Sequence, residues 1–197
     1  MIAEDQTMVR QALVALLELE PDIEVVAEAA GGDEALAMAR KHQPDVAVLD
    51  IEMPGPGGLE VARLLTAAGF PGKIVIVTTF GRPGYLRAAM AAGASGFLLK
   101  DAPAAELAAA IRRVASGERV VDSALAAAAL TEGESPLSQR ETEVLAAAAG
   151  HDAIAVIAAQ LHLSPGTVRN HLSAAIGKLG ARNRADAVQI ARDKGWL

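Results

Sequence analysis

Residues 1–116 carry two alternating rhythms of apolar positions. Short apolar runs at 1–3, 23–27, 45–49, 73–78 and 95–99 read as β-strands. Between them, apolar residues return at every third or fourth position. In 6–19 that stripe is Met8, Val9, Ala12, Leu13, Leu16 and Leu17, which predicts a helix stopped at Pro21-Asp22. Further helices are predicted over 31–41 (ending before Pro44), 58–68, 83–92 (opened by Pro83) and 103–116 (opened by Pro103). Five strands separated by helices, several of them continuously apolar, imply a doubly wound, five-stranded parallel sheet covered on both faces.

The rhythm changes after Gly117. Residues 117–134 hold an alanine tract at 124–129 and then Thr131-Glu132-Gly133-Glu134, and they read as a linker with one short helix. Residues 135–197 contain no strand-like run. Ser138-Gln139-Arg140-Glu141 is a capping box that opens a helix to about Ala149. A second helix fits 153–161. Ser164-Pro165 supplies a cap and a first-turn proline for a third, stopped by Gly180, and a fourth covers 184–194. The expected organisation is an α/β domain over 1–116, a linker over 117–134 and an all-α, four-helix domain over 135–197. Helix, short turn, helix is the helix-turn-helix plan.

Composition narrows the functional classes. Of 197 residues, 52% are hydrophobic and 21% charged, a globular balance, and only 3% are aromatic, so the core is aliphatic. The absence of cysteine excludes disulfides, thiol catalysis and Cys-based zinc sites. His42, His151, His162 and His171 show no metal-ligand pairing. No apolar run reaches the roughly 20 residues needed to span a bilayer, and the acidic N-terminus lacks the form of a secretory signal. The protein is expected in the cytoplasm, without direct membrane insertion. The net charge of −6 is divided unevenly: residues 1–134 carry 11 Lys and Arg against 19 Asp and Glu (−8), residues 135–197 carry 7 against 5 (+2). The second half is the candidate for an anionic partner.

Candidate chemistry sits where the strands end. Glu4-Asp5, Asp50, Thr78 and Lys100 each follow an apolar run, and neighbouring parallel strands bring such ends to one edge, where open α/β sheets place their sites. A phosphoryl group moving onto a carboxylate brings repelling oxygens together, so it needs a divalent cation and a fixed positive charge. Magnesium prefers carboxylate and carbonyl oxygens and keeps several waters. Asp5 and Asp50 are therefore expected as direct Mg²⁺ ligands, Glu4 through water, and Glu52 through its backbone carbonyl. Lys100 would pair with the phosphoryl oxygens and Thr78 would donate a hydrogen bond to one of them. Each residue alone has an ordinary reading: a capping Asp, a solvated Lys, a Thr no different from Thr79. Four suitable types at four strand ends outweigh it.

Over roughly residues 1–116 the chain resembles the receiver domain of two-component response regulators. The matching pieces are Glu4-Asp5, Asp50 with Met53-Pro54-Gly55, Thr78, and Gly96-Phe97-Leu98-Leu99-Lys100. The resemblance implies that Asp50 is the phosphoacceptor, Glu4 and Asp5 the magnesium pocket, Thr78 the switch hydroxyl, Lys100 the phosphoryl-binding lysine and Phe97 the switch aromatic. An ordinary core role for Phe97 stays open. One departure is that only three residues precede Glu4: either the start is truncated or the strand that carries it is unusually short.

Residues 137–180 resemble the LuxR/FixJ-type helix-turn-helix. The matches are 137–145 (LSQRETEVL), 163–171 (LSPGTVRNH) and Lys178-Leu179-Gly180. The helix from Pro165 places Thr167, Arg169, Asn170 and Ser173 on an exposed side, while Val168, Leu172 and Ile176 fall on its core stripe. Arg169 suits guanine and Asn170 suits adenine in the major groove; Thr167 and Lys178 are expected at phosphates, and His171 is either a packing or a phosphate residue. A second departure is that the stretch before Ile157-Ala158 is one residue longer than usual.

The whole chain therefore resembles a response regulator of the NarL/FixJ class. Within it, 51–55, 78–85 and the Gly195-Trp196-Leu197 ending resemble regulators that control fatty-acid desaturase genes. The expected function is a transcriptional regulator that accepts a phosphoryl group on Asp50 from a sensor histidine kinase, forms a homodimer and binds double-stranded promoter DNA. The helices near 6–19 and 103–116 are one candidate for the dimer face. A phosphatase using Asp50 as nucleophile would want a second Asp two residues on, where this chain has Glu52. A DNA binder indifferent to phosphorylation is the other rival.

Overall fold

Apolar runs become strands only where they find partners, and the computed structural model shows which do. It describes residues 1–79, 81–131, 135–150 and 153–197. Phe80 in the loop after the fourth strand, residues 132–134 of the expected linker, and His151-Asp152 lie outside the described residues.

Two compact units emerge, one of Met1–Gly81 with Leu86–Ala126, the other of Arg82–Tyr85 with Ala127–Leu197. In the first, β1 (Ile2–Ala3), β2 (Glu28–Ala29), β3 (Val46–Leu49), β4 (Lys73–Thr78), β5 (Gly96–Leu99) and β6 (Val120–Val121) form one parallel sheet in the order β2-β1-β3-β4-β5-β6. The helices α1 (Thr7–Leu17), α2 (Gly32–His42), α3 (Gly58–Ala67), α4 (Pro83–Ala91) and α5 (Ala104–Ala115) follow the first five strands in turn.

Side chains alternate across the pleat. Ile2, Val46, Val48, Val75 and Val77 pack with Leu17 of α1 and with Leu107, Ala108, Ile111 and Val114 of α5. The intervening residues Ala47, Leu49, Ile74, Ile76 and Phe97 are just as buried, as are Val61, Ala62 and Leu65 of α3. Burial on both faces explains why β3 and β4 read as unbroken apolar runs.

Two expectations need correcting. The sheet has six strands among the described residues, not five: Val120–Val121 pairs in parallel with Gly96–Phe97, inside the segment read as linker. The second strand is not 23–27. Its ladder is Glu28–Ala29, paired with Ile2 and Ala3 of β1; Ala27 O still accepts from Ile2 N (3.0 Å), but residues 23–27 lie outside the ladder.

After α6 (Ser123–Thr131), whose first four residues belong to the first unit, the second unit holds α7 (Gln139–Ala147), α8 (Ile154–Gln160), α9 (Pro165–Lys178) and α10 (Arg184–Asp193), with a 3₁₀ turn at Ala148–Gly150. That makes ten α-helices along the described chain, four of them after residue 135. The capping box is formed: Ser138 Oγ accepts from Glu141 N, and the Glu141 carboxylate accepts from Ser138 N. Ser164 caps α9 from the residue before Pro165. A core of Val144, Leu145, Ile157, Val168, Leu172, Ala175, Ala187 and Val188 joins α7 to α10.

Candidate phosphoacceptor site and DNA-binding helix

Parallel register carries the strand-end residues to one edge. Ala3 pairs with Leu49, and Asp50 N donates to Ala3 O (2.9 Å), so the carboxylates that follow β1 and β3 stand side by side. Glu4, Asp5 and Asp50 each offer a carboxylate oxygen, all within 4.8 Å of one another. Lys100, one residue past β5, reaches into this group: its Nζ lies 2.6 Å from Glu4 Oε2 and 3.0 Å from Asp50 Oδ2. Lys100 N also donates to Thr78 O (2.8 Å), which ties the ends of β4 and β5 together at the same level.

Glu4 and Asp50 are almost fully buried and Asp5 is exposed. One partly buried ammonium thus serves two buried carboxylates beside a third. Burial pushes the Asp50 carboxyl above its usual value, and the Lys100 hydrogen bond only partly offsets this. For Lys100 burial acts downward, but the hydrogen bonds to Glu4 and Asp50 outweigh it and the net shift is upward. Lys100 therefore stays charged while the pocket keeps an excess of negative charge. Hard oxygen donors in that arrangement, with an exposed member facing solvent, suit Mg²⁺. Lys100 alone leaves the three carboxylates under-compensated.

The backbone holds the pocket tightly. Asp50 Oδ1 accepts from Ile51 N (2.8 Å), and Gly58 N donates to Ile51 O (2.9 Å), closing the loop that follows β3. A Cβ on Gly58 would stand 1.9 Å from the Asp50 carbonyl oxygen, so only glycine permits this approach. Glu52 is exposed in that loop. Thr78 is completely buried at the end of β4. Phe97 is equally buried, but it lies mid-strand opposite Ile76, away from the acidic cluster in the ladder.

Arg10 was not anticipated. Its Nη1 donates to Glu4 O (2.6 Å) and its Nε pairs with Glu28 (3.3 Å), fixing the backbone between the two pocket acids. The available signal was a charged residue between the apolar positions Val9 and Ala12 of an otherwise apolar stripe.

On α9, Val168, Leu172 and Ala175 are buried, while Arg169, Asn170, Ser173 and Lys178 are exposed and Thr167 and His171 are half-buried. The structure thus brings Arg169, Asn170 and Ser173 together on one face. It ties up two others: Thr167 Oγ1 lies 2.8 Å from Ser164 Oγ, and Lys178 Nζ donates to Glu141 Oε2 at 2.7 Å. Arg140, also unforeseen, donates to Leu161 O (3.1 Å) and so braces the turn between α8 and α9.

Comparison with known proteins agrees with this architecture. Residues 1–112 match the response regulator receiver domain, and residues 135–191 match the bacterial regulatory proteins of the luxR family. The chain is 47% identical to the uncharacterized transcriptional regulatory protein YvfU of Bacillus subtilis, covering 100% of this chain and 98% of that one. It is 46% identical to the transcriptional regulatory protein DesR of the same organism, covering 100% and 97%. Among solved structures, the response regulator ChrA of a heme-sensing two-component system aligns at 35% identity and TM-score 0.58, over 100% of this chain and 96% of that one. The chain therefore belongs to the two-component response regulators: it is a transcriptional regulator with a receiver domain and a LuxR-type helix-turn-helix DNA-binding domain, and not an enzyme.

Proposed function

We propose that Asp50 is the phosphoacceptor and that its phosphorylation controls DNA binding by α9. The observation that carries this reading is the cluster of three carboxylates within 4.8 Å, two of them held by Lys100 at the C-terminal edge of the sheet. Asp5 and Asp50, with Glu4 and the Glu52 carbonyl, would hold Mg²⁺, which when bound neutralises charge between the carboxylate and the incoming phosphoryl oxygens. An Asp50 carboxylate oxygen forms the new P–O bond as the P–N bond of a phosphohistidine on a sensor kinase breaks. Lys100, already 3.0 Å from Asp50, pairs with the transferred group, and Thr78 donates its hydroxyl proton to it. Phe97 follows the loop after β4 as that loop is drawn toward the phosphoryl group.

The proposed domain division is a receiver over 1–116 extended by β6 (Val120–Val121), a linker within the remainder of 117–134 and a DNA-binding domain over 135–197. Dimerisation is the proposed output. The outer face of α1 exposes Met8 and Leu16, with Leu19 just beyond it, an apolar strip that suits a second copy. Two recognition helices then meet double-stranded promoter DNA about one helical turn apart. Arg169, Asn170 and Ser173 read bases; Thr167, His171 and Lys178 contact the backbone. The protein acts in the cytoplasm, and among the described residues no helix is long and apolar enough to cross a membrane. The resemblance of 51–55, 78–85 and 195–197 to desaturase-controlling regulators favours membrane-lipid desaturation genes as targets, and similarity to YvfU at 47% makes other targets an explicit alternative.

Acetyl phosphate labelling tests the core of the proposal. Wild type should take up one phosphoryl group and Asp50→Ala none. Light scattering with and without beryllofluoride should show a monomer becoming a dimer. A wild type that stays unlabelled, or an Asp50→Ala variant that dimerises and binds DNA as wild type does, would reject the switch.

A further inference from the structure

The capping box at the start of α7 does more than begin a helix. Glu141 Oε2 accepts from Ser138 N at 2.6 Å and from Lys178 Nζ at 2.7 Å, so one carboxylate oxygen serves both the cap and the last residue of α9. The Glu141 side chain is 8% exposed and the Lys178 side chain 42%. The acid is held in place, while the lysine reaches solvent from the same helix that presents Arg169. The pair lies 37 residues apart in sequence and joins two helices packed against each other.

The same matching recurs around it. Arg140 pairs with Glu143 (2.6 Å) and Arg182 with Asp186 (3.1 Å). Three of the seven basic residues after 135 are thus paired within the unit, although DNA affinity rests largely on uncompensated cations that displace counterions from phosphates. Lys178 differs from Arg140 and Arg182 in that its partner is buried and is also held by Ser138 N, and so stays in place when a phosphate approaches.

We propose that Glu141 is an intramolecular competitor of DNA phosphate for Lys178, and thereby sets the strength and salt dependence of DNA binding by this chain. This rests on DNA binding by α9. With the pair intact, Lys178 adds no net charge to the C-terminal end of α9; without the Glu141 charge it adds one.

Glu141→Gln tests this cleanly, because glutamine also completes a capping box and leaves only the charge altered. The experiment is fluorescence anisotropy of full-length wild type, Glu141→Gln, Lys178→Gln and the double variant on a duplex of arbitrary sequence, across a salt series. Thermal unfolding of each variant confirms the fold. Glu141→Gln should bind about 5- to 10-fold more tightly at roughly 0.1 M salt, with a plot of log K against log salt steeper by about 0.9. The double variant should lose that gain, and Lys178→Gln should bind more weakly than wild type. If Glu141→Gln binds more weakly, the carboxylate positions Lys178 rather than competing for it, and the proposal is overturned. An unchanged slope overturns it equally. If wild type binds no duplex at low salt, the DNA-binding reading falls first and this inference with it. If wild type binds and Glu141→Gln gains nothing, only this inference fails.

Discussion

Two lysines in this chain each meet buried carboxylates, with opposite consequences. At the sheet edge Lys100 serves Glu4 and Asp50 with Asp5 alongside, three acids to one base. In the helical unit Lys178 serves Glu141 alone. The Asp50 carboxyl is pushed up by burial that Lys100 does not fully offset. The Lys178 hydrogen bond, aided by the Ser138 backbone, holds the Glu141 carboxyl below its usual range. A balanced pair fastens two helices. An unbalanced cluster keeps a demand for positive charge, and such a demand is what a site for a metal ion and a phosphoryl group requires.

The largest effect should come from one substitution made in both regions. Gly58 approaches the Asp50 carbonyl so closely that an added Cβ would lie 1.9 Å from it, whereas Gly177 on α9 has nothing within 4 Å. Gly58→Ala should destabilise the receiver by about 3 kcal/mol through overpacking and displace Asp50. Gly177→Ala should instead stabilise by roughly 0.5–1 kcal/mol, as alanine does in an open helical position. Denaturant unfolding of the two variants checks both signs. Equal effects would mean that the β3 loop is not clamped as the geometry requires.

Magnesium should separate the regions next. At about 100 times its dissociation constant, an ion bound only to the folded receiver adds about 2.7 kcal/mol. Asp5→Asn should remove most of that gain, and Glu141→Gln should leave it intact. Calorimetry with and without Mg²⁺ reads this directly, and a gain that survives Asp5→Asn would place the cation elsewhere.

Acid titration should sharpen the contrast with a smaller effect. Glu141 contributes stability that is present above the ordinary glutamate value and is lost as pH falls through its depressed folded value. Asp50 has the opposite sign: its folded pKa lies above the unfolded one, so its ionisation weakens the fold as pH rises past the ordinary aspartate value. Carboxyl NMR in the absence of metal should show Asp50 titrating above, and Glu141 below, the usual value for its type. At neutral pH, Asp50→Asn should raise receiver stability by leaving Lys100 and Glu4 as a balanced pair.

Much of this contrast was legible in the residue order. Strand ends marked by apolar runs located Glu4, Asp50, Thr78 and Lys100, and Ser138 and Ser164-Pro165 located two helix starts, because these signals are local. What escaped depends on a partner. Residues 23–27 have strand composition, but the two ladder residues of β1 pair with Glu28 and Ala29 instead. Val120–Val121 is too short to show a period, yet it completes the sheet because β5 has an open edge there. The Glu141–Lys178 pair joins residues whose proximity follows only from helix packing.

The smallest expected effect concerns backbone strain in the helical unit, which holds the balanced Lys178–Glu141 pair. His162 follows α8 with φ +53, at the position where helices commonly place glycine. Its N–H donates to Ala159 O (3.3 Å), and Leu163 N donates to Ala158 O (2.8 Å), the paired bonds of a Schellman ending. A left-handed conformation costs a side-chain-bearing residue about 1–2 kcal/mol, and glycine gives back roughly 0.5–1 kcal/mol of that through its greater freedom when unfolded. His162→Gly should therefore stabilise the unit by about 0.5 kcal/mol, or roughly 2–4 °C for a domain of this size. The turn also sets the angle at which α9 leaves α8, so DNA binding reports on the same substitution. A higher melting temperature with unchanged affinity assigns the cost to backbone strain alone. A lower melting temperature would show that the imidazole contributes more to this turn than its backbone conformation costs.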